Sequence, residues 1–271
     1  MAINDITLGA GMRQSLAHLQ TVASLMARTT ERLATGRRVN SAVDDPAAYF
    51  AAQNHLSRAS DLSVRKDAMG EAIQNVRAAT EGIDALTSLI EQAKGLAASA
   101  RGATAADRQA LAAQFDDLLT QIDQLASDSG YRGINLLGGD SLTVEFNEDG
   151  SSSITITGFD ATTSGDLDIA GATNDWVDDT DIDAAVSDLD DALDTLRTNA
   201  KTMASNLDIV TTRQEFTTSI INTLTTGADN LTLADPNEEG ANMLALQTRQ
   251  ELGIVALSLS SAAQQSVLKL F

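Results

Sequence analysis

The chain has 271 residues, with 18 basic against 38 acidic side chains for a formal net charge of −20, no cysteine, two histidines, two prolines and nine aromatics. That length can bury one large core or two small ones. The charge argues against a nucleic-acid binder, which needs a basic footprint, and zero cysteines exclude a disulfide scaffold, a thiol nucleophile and a zinc-thiolate centre. Scarce proline and abundant Ala, Leu, Thr, Gln and Asp predict long helices.

Residues 1–11 have no basic start and no apolar run, so no secretory signal peptide is expected. From Met12 the apolar residues Met12, Leu16, Leu19, Ala23, Met26 and Leu33, with Thr30 in the remaining slot, follow the alternating steps of four and three of a heptad helix. The pattern stops at Thr35-Gly36, a natural terminator. Both prolines follow aspartate, at Asp45-Pro46 and Asp235-Pro236, and each pair predicts an N-cap and a first helical residue.

Three heptad tracks occupy the middle. Met69, Ile73, Val76, Ile83, Ile90 and Ala97 form the first, and Leu111, Phe115, Leu118, Ile122 and Leu125 the second. The third runs from Ile182 through Val186, Leu189, Leu193, Leu196, Ala200, Met203, Leu207, Val210, Gln214, Thr217, Ile221, Leu224 and Ala228 to Leu231. Such a helix would be about 75 Å long at ~1.5 Å per residue, which predicts a rod of packed helices. Between the second and third tracks, Gly130-Tyr131-Arg132-Gly133 and Gly138-Gly139 break helix. Thr143–Phe146 and Ser153–Thr157 then alternate as a β-hairpin around an Asn147–Gly150 turn, followed by a polar loop to about Asp179. Residues 140–194 hold 16 acids and no Lys or Arg, whereas residues 1–40 hold two acids and five arginines. A solvated acidic segment accounts for the first, with its last acids favouring the next helix start.

The end of the chain is apolar nearly all round: Met243, Leu244, Leu246, Leu252, Ile254, Val255, Leu257, Leu259, Val267, Leu268, Leu270 and Phe271 do not keep to one face. Such a helix must be covered nearly all round, so a partner surface is expected. Its longest uncharged run, Leu252–Leu268, is interrupted by serines and glutamines and makes a poor membrane span.

No constellation carries catalysis. Asp179-Thr180-Asp181-Ile182-Asp183 with Asp190 has the start of a calcium loop, but Ala184 stands where the turn needs glycine and the heptad continues through it. His18 and His55 each lack a second ligand or a nucleophile partner. The pairs Asp116-Asp117 and Asp190-Asp191 are adjacent and diverge by ~100° on a helix. No glycine cluster fits a phosphate loop, and Asn230-Leu231-Thr232, a glycosylation triplet, falls within the longest heptad. The expectation is a protein that is not an enzyme and takes no cofactor or metal.

Glu31-Arg32-Leu33-Ala34-Thr35-Gly36-Arg37-Arg38-Val39-Asn40-Ser41-Ala42-Val43-Asp44-Asp45 closely resembles the segment after the first helix of bacterial flagellin. Ala241–Gln250 and Gln265–Phe271 resemble its carboxyl-terminal helix, and Tyr131-Arg132-Gly133-Ile134-Asn135-Leu136-Leu137-Gly138-Gly139 is similar to its F-N-G-x-N-L-L-x-G turn. The resemblance implies a mainly α fold, an elongated antiparallel coiled-coil or helical-bundle rod with a small β-hairpin and paired terminal helices. Residues 1–40 and 236–271 would form the inner filament-core domain and 41–140 with 175–235 the rod domain. Residues 140–174 would supply the hairpin and acidic surface loop, with no large outer domain. Function would be polymerisation into the extracellular flagellar filament, for motility. The interface would comprise Met12, Leu16, Leu19, Met26, Leu33, Met243, Leu246, Leu252, Val255, Leu257, Leu259, Val267, Leu268, Leu270 and Phe271, with Arg37, Arg38, Asn40, Asp44 and Asp45 as an inter-domain spoke.

Partners implied by the resemblance are other flagellin subunits, an export chaperone on the C-terminal helix, and the cap and hook-associated proteins, with no nucleic acid and no membrane. Export would use the flagellar type III apparatus, without a cleaved signal. Receptor-activating flagellins resemble L-Q-R-V-R-E-L on the first rod helix; here Leu89–Leu96 places Gln92 for the first arginine and Gly95 for the glutamate, so recognition by Toll-like receptor 5 is expected to be weak or absent. The alternatives are the hook–filament junction protein (hook-associated protein 3), which shares the terminal-helix plan, and a secreted helical binding protein.

Overall fold

The computed structural model describes residues 10–268. Helix α1 spans Ala10–Thr35, α2 Pro46–Ala100, α3 Ala105–Asp128, α4 Asp179–Thr232 and α5 Pro236–Leu268. Strands β1 (Ser141–Glu145) and β2 (Ser153–Thr157) and a 3-10 turn at Thr173–Trp176 lie between α3 and α4. The protein is 75% helical, mainly α with a two-strand antiparallel sheet, as the heptad tracks predict. Both Asp-Pro starts are realised. Asp45 Oδ1 accepts from the Ala48 amide at 3.0 Å, and Asp235 Oδ1 from the Asn237 amide at 2.8 Å, each capping a helix whose first residue is the proline.

The chain divides into two compact units, 58–222 and the described parts of 1–57 with 223–271. The core of the 58–222 unit is built on α2. Its first buried seam is the predicted track of Met69, Ile73, Val76, Ile83, Ile90 and Ala97; Ala72, Ala79, Leu86, Ala93 and Ala100 form a second seam beside it. Two adjacent seams let one helix pack against more than one neighbour. Helix α4 runs antiparallel to α2, tied by ion pairs from Lys94 to Asp190 and Arg101 to Asp183 and by the Gln214 amide donating to the Lys66 carbonyl at 3.3 Å. Its predicted slots from Ile182 to Ile221 are all buried or half-buried.

On α3 the buried stripe is Ala112, Phe115, Leu119, Ile122 and Ala126. Leu118 and Leu125 of the predicted track sit only half-buried, one position round. Phe115 and Ile122 are common to both sets, and the Phe115 ring packs 4.9 Å from that of Trp176. After α3, Tyr131 and Ile134 exchange backbone hydrogen bonds across Arg132 and Gly133, both at positive φ. Asn135 then clamps the helix end: its Nδ2 donates to the Ala126 and Ser127 carbonyls at 2.8 and 3.1 Å, and its Oδ1 accepts from the Leu137 amide at 3.0 Å. Those carbonyls have no partner within the helix, so a side-chain donor there satisfies groups that would otherwise need water. Leu136 and Leu137 go straight into the core.

The hairpin pairs Ser141 with Thr157 and Val144 with Ile154, and Val144 and Ile156 point inward. The segment after it departs from the expected polar loop. Phe159, Ala161, Leu167, Ile169 and Trp176 are buried in the core, so the segment covers apolar surface as well as meeting solvent. Several acids serve its backbone: Asp123 accepts from the Thr163 amide at 2.7 Å and Asp116 from the Ala172 amide at 2.8 Å. Arg108 completes the join, donating to the Arg101 and Val177 carbonyls and to Asp179 at 2.6 Å.

Candidate functional site

The second unit contains α1, α5 and the segments that join them to α2 and α4. Gly36, at a φ of +68°, ends α1 in the left-handed conformation that glycine tolerates. The chain then pairs with the end of α4. Arg38 and Val39 donate backbone hydrogen bonds to the Thr232 carbonyl at 2.7 and 3.2 Å, and the Ala234 amide returns one to the Gly36 carbonyl at 3.0 Å. The Arg38 guanidinium donates to the Leu231 carbonyl at 3.3 Å, a cation at the negative end of a helix.

Asp44 closes the turn. Its Oδ2 accepts from the Asn40 amide, the Ser41 amide and the Ser41 hydroxyl, at 3.1, 3.0 and 3.0 Å. The Ser41 bonds, then the Asn40 amide, hold its carboxyl below the ordinary aspartate range. The five predicted spoke residues therefore lie in one short run, each with a partner: Arg37 bridges Leu233, Arg38 caps α4, Asn40 and Asp44 lock the turn, and Asp45 starts α2.

Helices α1 and α5 pack antiparallel. Arg32 Nη1 donates to Glu239 Oε1 at 2.9 Å near one end, and Leu19 lies against Gly253 further along. A Cβ on Gly253 would come within 2.7 Å of Leu19 Cδ2, so the glycine is what allows the close approach. Glu239 is buried in the first turn of α5, with the Arg32 guanidinium as its ion-pair partner.

The predicted interface residues separate by face. Leu246 is buried, and Met12, Leu19, Met26, Met243 and Leu257 are half-buried. Leu16 and Leu33 are exposed on α1, while Leu252, Val255 and Leu259 are 64%, 64% and 72% exposed on α5. Val267 and Leu268 side chains, with Leu270 and Phe271, lie outside the described residues. The inward stripe of α5 steps from Glu239 through Met243, Leu246, Gln250 and Gly253 to Leu257. The outward one, Leu244, Leu252, Val255 and Leu259, joins Ile254 in presenting apolar surface to solvent. Met12, Leu16, Ile254 and Leu257 line a groove of about 390 Å³ between the helices.

Three contributors were not read from the sequence. Val22 and Thr29 are the buried residues at the centre of α1, one position round from the predicted Ala23 and Thr30. Gly253 had no reading of its own in the sequence; its heptad spacing from Leu246 and to Leu257 is the available signal. Among the described residues no group of three or more His, Asp or Glu could hold a metal ion, and no helix is long and apolar enough to cross a membrane. What the surface offers is apolar area and a few charges, which suits protein association.

Comparison with known proteins agrees in kind. The model of the bacterial flagellin N-terminal helical region matches residues 7–141, and that of the flagellin C-terminal helical region matches residues 180–271. Flagellin FljO of Caulobacter vibrioides is 28% identical over the full length of both chains. A flagellin of Brucella melitensis is 29% identical over 95% of this chain and 96% of its own. Flagellin A of Rhizobium meliloti is 36% identical over 90 residues, 33% of this chain and 23% of that protein.

Proposed function

The chain belongs to the bacterial flagellin family, and from that premise we propose that its assembly surface is the outward apolar face of the α1–α5 pair. Flagellins are structural proteins, and this one is a filament subunit that polymerises with other flagellin subunits into the extracellular flagellar filament, serving motility. The observation that carries the surface assignment is the exposure of Leu252, Val255 and Leu259 on a helix whose opposite side is already occupied by α1. In a lone subunit these groups stay in water; against a neighbour each Å² of apolar area removed stabilises by roughly 25 cal/mol.

In this proposal the interface set divides into two roles. Met12, Leu19, Met26, Met243, Leu246 and Leu257 hold α1 to α5, and Leu16, Leu33, Leu252, Val255 and Leu259 meet other copies. Val267, Leu268, Leu270 and Phe271 extend that second group. Residues 1–40 and 236–271 act as the inner domain, 41–140 and 175–235 as the rod, and 140–174 as its hairpin and acidic loop. Arg37, Arg38, Asn40, Asp44 and Asp45 make the spoke between inner domain and rod. Before assembly the same apolar helix, α5, is the segment a dedicated export chaperone would cover, and growth occurs under a cap on a base of hook-associated proteins.

Recognition by Toll-like receptor 5 is proposed to be weak or absent. Along Leu89–Leu96, Gln92 and Gly95 present no guanidinium or carboxylate, and the one cation, Lys94, is paired with Asp190. Purified monomer should leave receptor-bearing cells silent; robust activation would refute this.

Seeded polymerisation tests the central claim. Monomer at neutral pH is mixed with sheared filament seeds, then examined by electron microscopy and by circular dichroism of soluble and pelleted fractions. Long filaments with a rise in helicity are expected, because an unpaired helix of this length is marginal in water and folds on association. Soluble monomer of unchanged helicity across a salt series would overturn it.

A further inference from the structure

On a chain of net charge −20, one groove in the α1–α5 pair collects arginine. It has a volume of about 280 Å³, and Arg28, Arg32 and Arg249 line it with Leu25 and Leu246. Glu239 is the one acid in its wall and is already engaged by Arg32 at 2.9 Å. Arg28 and Arg249 enter none of the ion pairs among the described residues. The charge of Arg28 reaches Asp44 as a minor influence, but that carboxylate is occupied by the Ser41 and Asn40 donors. The groove thus sets Leu25, Ala245 and Leu246 beside Thr29, Asn242 and two guanidiniums that have no ion pair among the described residues.

The complementary feature lies on the same helix. Glu251 is exposed and has no ion pair among the described residues. Leu244 and Val255, seven residues before it and four after, share its side of α5, and Leu252 adjoins it. Arg249 and Glu251 are two residues apart, so they diverge by ~200° around the helix axis. One subunit therefore cannot satisfy its own groove with its own Glu251.

We propose that the arginine groove of one copy receives Glu251 and its apolar flank from the outward face of α5 of a second copy. Donor and acceptor surfaces differ and both recur on every chain, which makes the contact heterologous and leaves a free groove at one end and a free Glu251 at the other. Contacts of that kind close into rings or run on as open helical filaments. The apolar flank provides the buried area and the carboxylate sets register and excludes misaligned approaches. The proposal rests on the filament-subunit reading and adds to it the partner of each surface.

Charge exchange on the full-length chain tests it. Critical concentration for seeded assembly is measured for wild type, for Glu251→Arg, for Arg28→Glu with Arg249→Glu, and for the three changes together. Each half-exchange should raise the critical concentration at least ~10-fold, and the triple exchange should return it to within about 3-fold of wild type. Raising salt to about 0.5 M should weaken wild-type assembly and narrow the gap between wild type and each half-exchange. Recovery in the triple exchange cannot arise from misfolding of the half-exchanged chains. Assembly of either half-exchange at the wild-type concentration hands the groove to some other acidic occupant and overturns the proposal. So does a triple exchange no better than its halves. Failure of the wild type itself to elongate seeds would be distinguishable, since it removes the filament-subunit reading along with the contact.

Discussion

Asn135 offers a sharp test of how the 58–222 unit is held, because two substitutions of nearly opposite size predict an inverted order. Its Nδ2 caps the Ala126 and Ser127 carbonyls at the end of α3 and its Oδ1 receives the Leu137 amide. Asn135→Ala removes all three bonds. At ~1 kcal/mol for each net hydrogen bond, and with water replacing part of the loss at a half-buried site, the cost is about 2 kcal/mol. Asn135→Asp keeps the side-chain shape and the acceptor but turns a carboxylate oxygen toward two carbonyl oxygens at the negative end of a helix. The dipole adds roughly 0.5 kcal/mol. The Asp140 carboxylate, which already accepts the Asn135 amide at 2.8 Å, repels the new charge as well. The near-isosteric variant should therefore be the less stable, by about 3 kcal/mol relative to wild type. The sign with pH follows. An introduced carboxylate facing acceptors has its folded pKa raised, so stability falls as pH climbs from its unfolded value through its folded value. The gap between the two variants should accordingly close on acidification toward pH 4. Urea unfolding of unpolymerised chain, followed by circular dichroism at pH 7 and at lower pH, reads both effects. An aspartate variant equal to or more stable than the alanine variant at pH 7 would refute the capping role.

Three further outcomes follow from the same structure. Gly158→Ala should destabilise the 58–222 unit by at least ~3 kcal/mol in the same urea assay, because the new Cβ would lie 2.2 Å from the Leu136 carbonyl and 2.4 Å from that of Asp140, backbone atoms that cannot rotate away; a shift under ~1 kcal/mol would show the contact to be soft. Leu16→Asp and Leu257→Asp should each abolish filaments in electron microscopy while leaving the helicity of the 58–222 unit in place, since a carboxylate on the groove between α1 and α5 meets apolar lining; normal filaments from either would contradict the assignment. Asp44, Glu71 and Asp149 should protonate below ordinary carboxylates in an NMR titration, held down chiefly by Ser41, Arg132 and the Ser151 amide respectively. Their contribution to stability is complete above the unfolded carboxylate values and is lost as pH falls through the folded ones, and midpoints at or above about 4 for these groups would count against it.

The parts legible in the sequence were those governed by period and by local chemistry. The long track from Ile182 reads correctly because a helix packed on one side keeps its apolar residues in one seam over any length. Asp45-Pro46 and Asp235-Pro236 read correctly because cap and proline act within three residues. Faces were harder. On α1 and α3 the tracks hold at Met12, Leu19, Met26, Phe115 and Ile122 but miss by one position at Ala23, Thr30, Leu118 and Leu125, since Val22, Thr29, Leu119 and Ala126 owe their burial to which neighbour lies where. Close approach was harder still. Gly158, Gly253 and Gly82, whose Cβ would come within 2.6 Å of Leu137 Cδ1, look like ordinary glycines until a second segment arrives. The buried residues of 158–178 were hidden for a different reason. Their apolar side chains are spaced by turns, including three successive positive-φ residues at Asn174, Asp175 and Trp176, so no helical or strand period marks them. On the terminal helices, the apolar character of α5 is legible in the sequence, but which of its residues face α1 is not.

The two units differ in a way that bears on assembly. In the 58–222 unit the seams of α2, α3 and α4 enclose Met69, Leu86, Ile90, Phe115, Ile122, Leu189 and Leu196, every one essentially inaccessible to solvent. A core so enclosed stabilises the unit whether or not other copies are present. The α1–α5 pair has no such enclosure, because two helices can bury only the stripe between them, and α5 is apolar on both sides. Its inward stripe also relies on a glycine, Gly253, which gains the close contact with Leu19 at a cost of about 1 kcal/mol in helix propensity. Pairing of the terminal helices leaves apolar surface uncovered, and on the proposed assembly surface neighbours covering Leu252, Val255 and Leu259 would strengthen it. On that proposal the subunit would keep a folded middle through conditions that unpair its ends, and would recover the paired ends where enough copies meet. Folding of the terminal helices and growth of the filament then become one equilibrium, so that any substitution loosening Leu19 on Gly253 should raise the critical concentration without lowering the urea midpoint of the 58–222 unit.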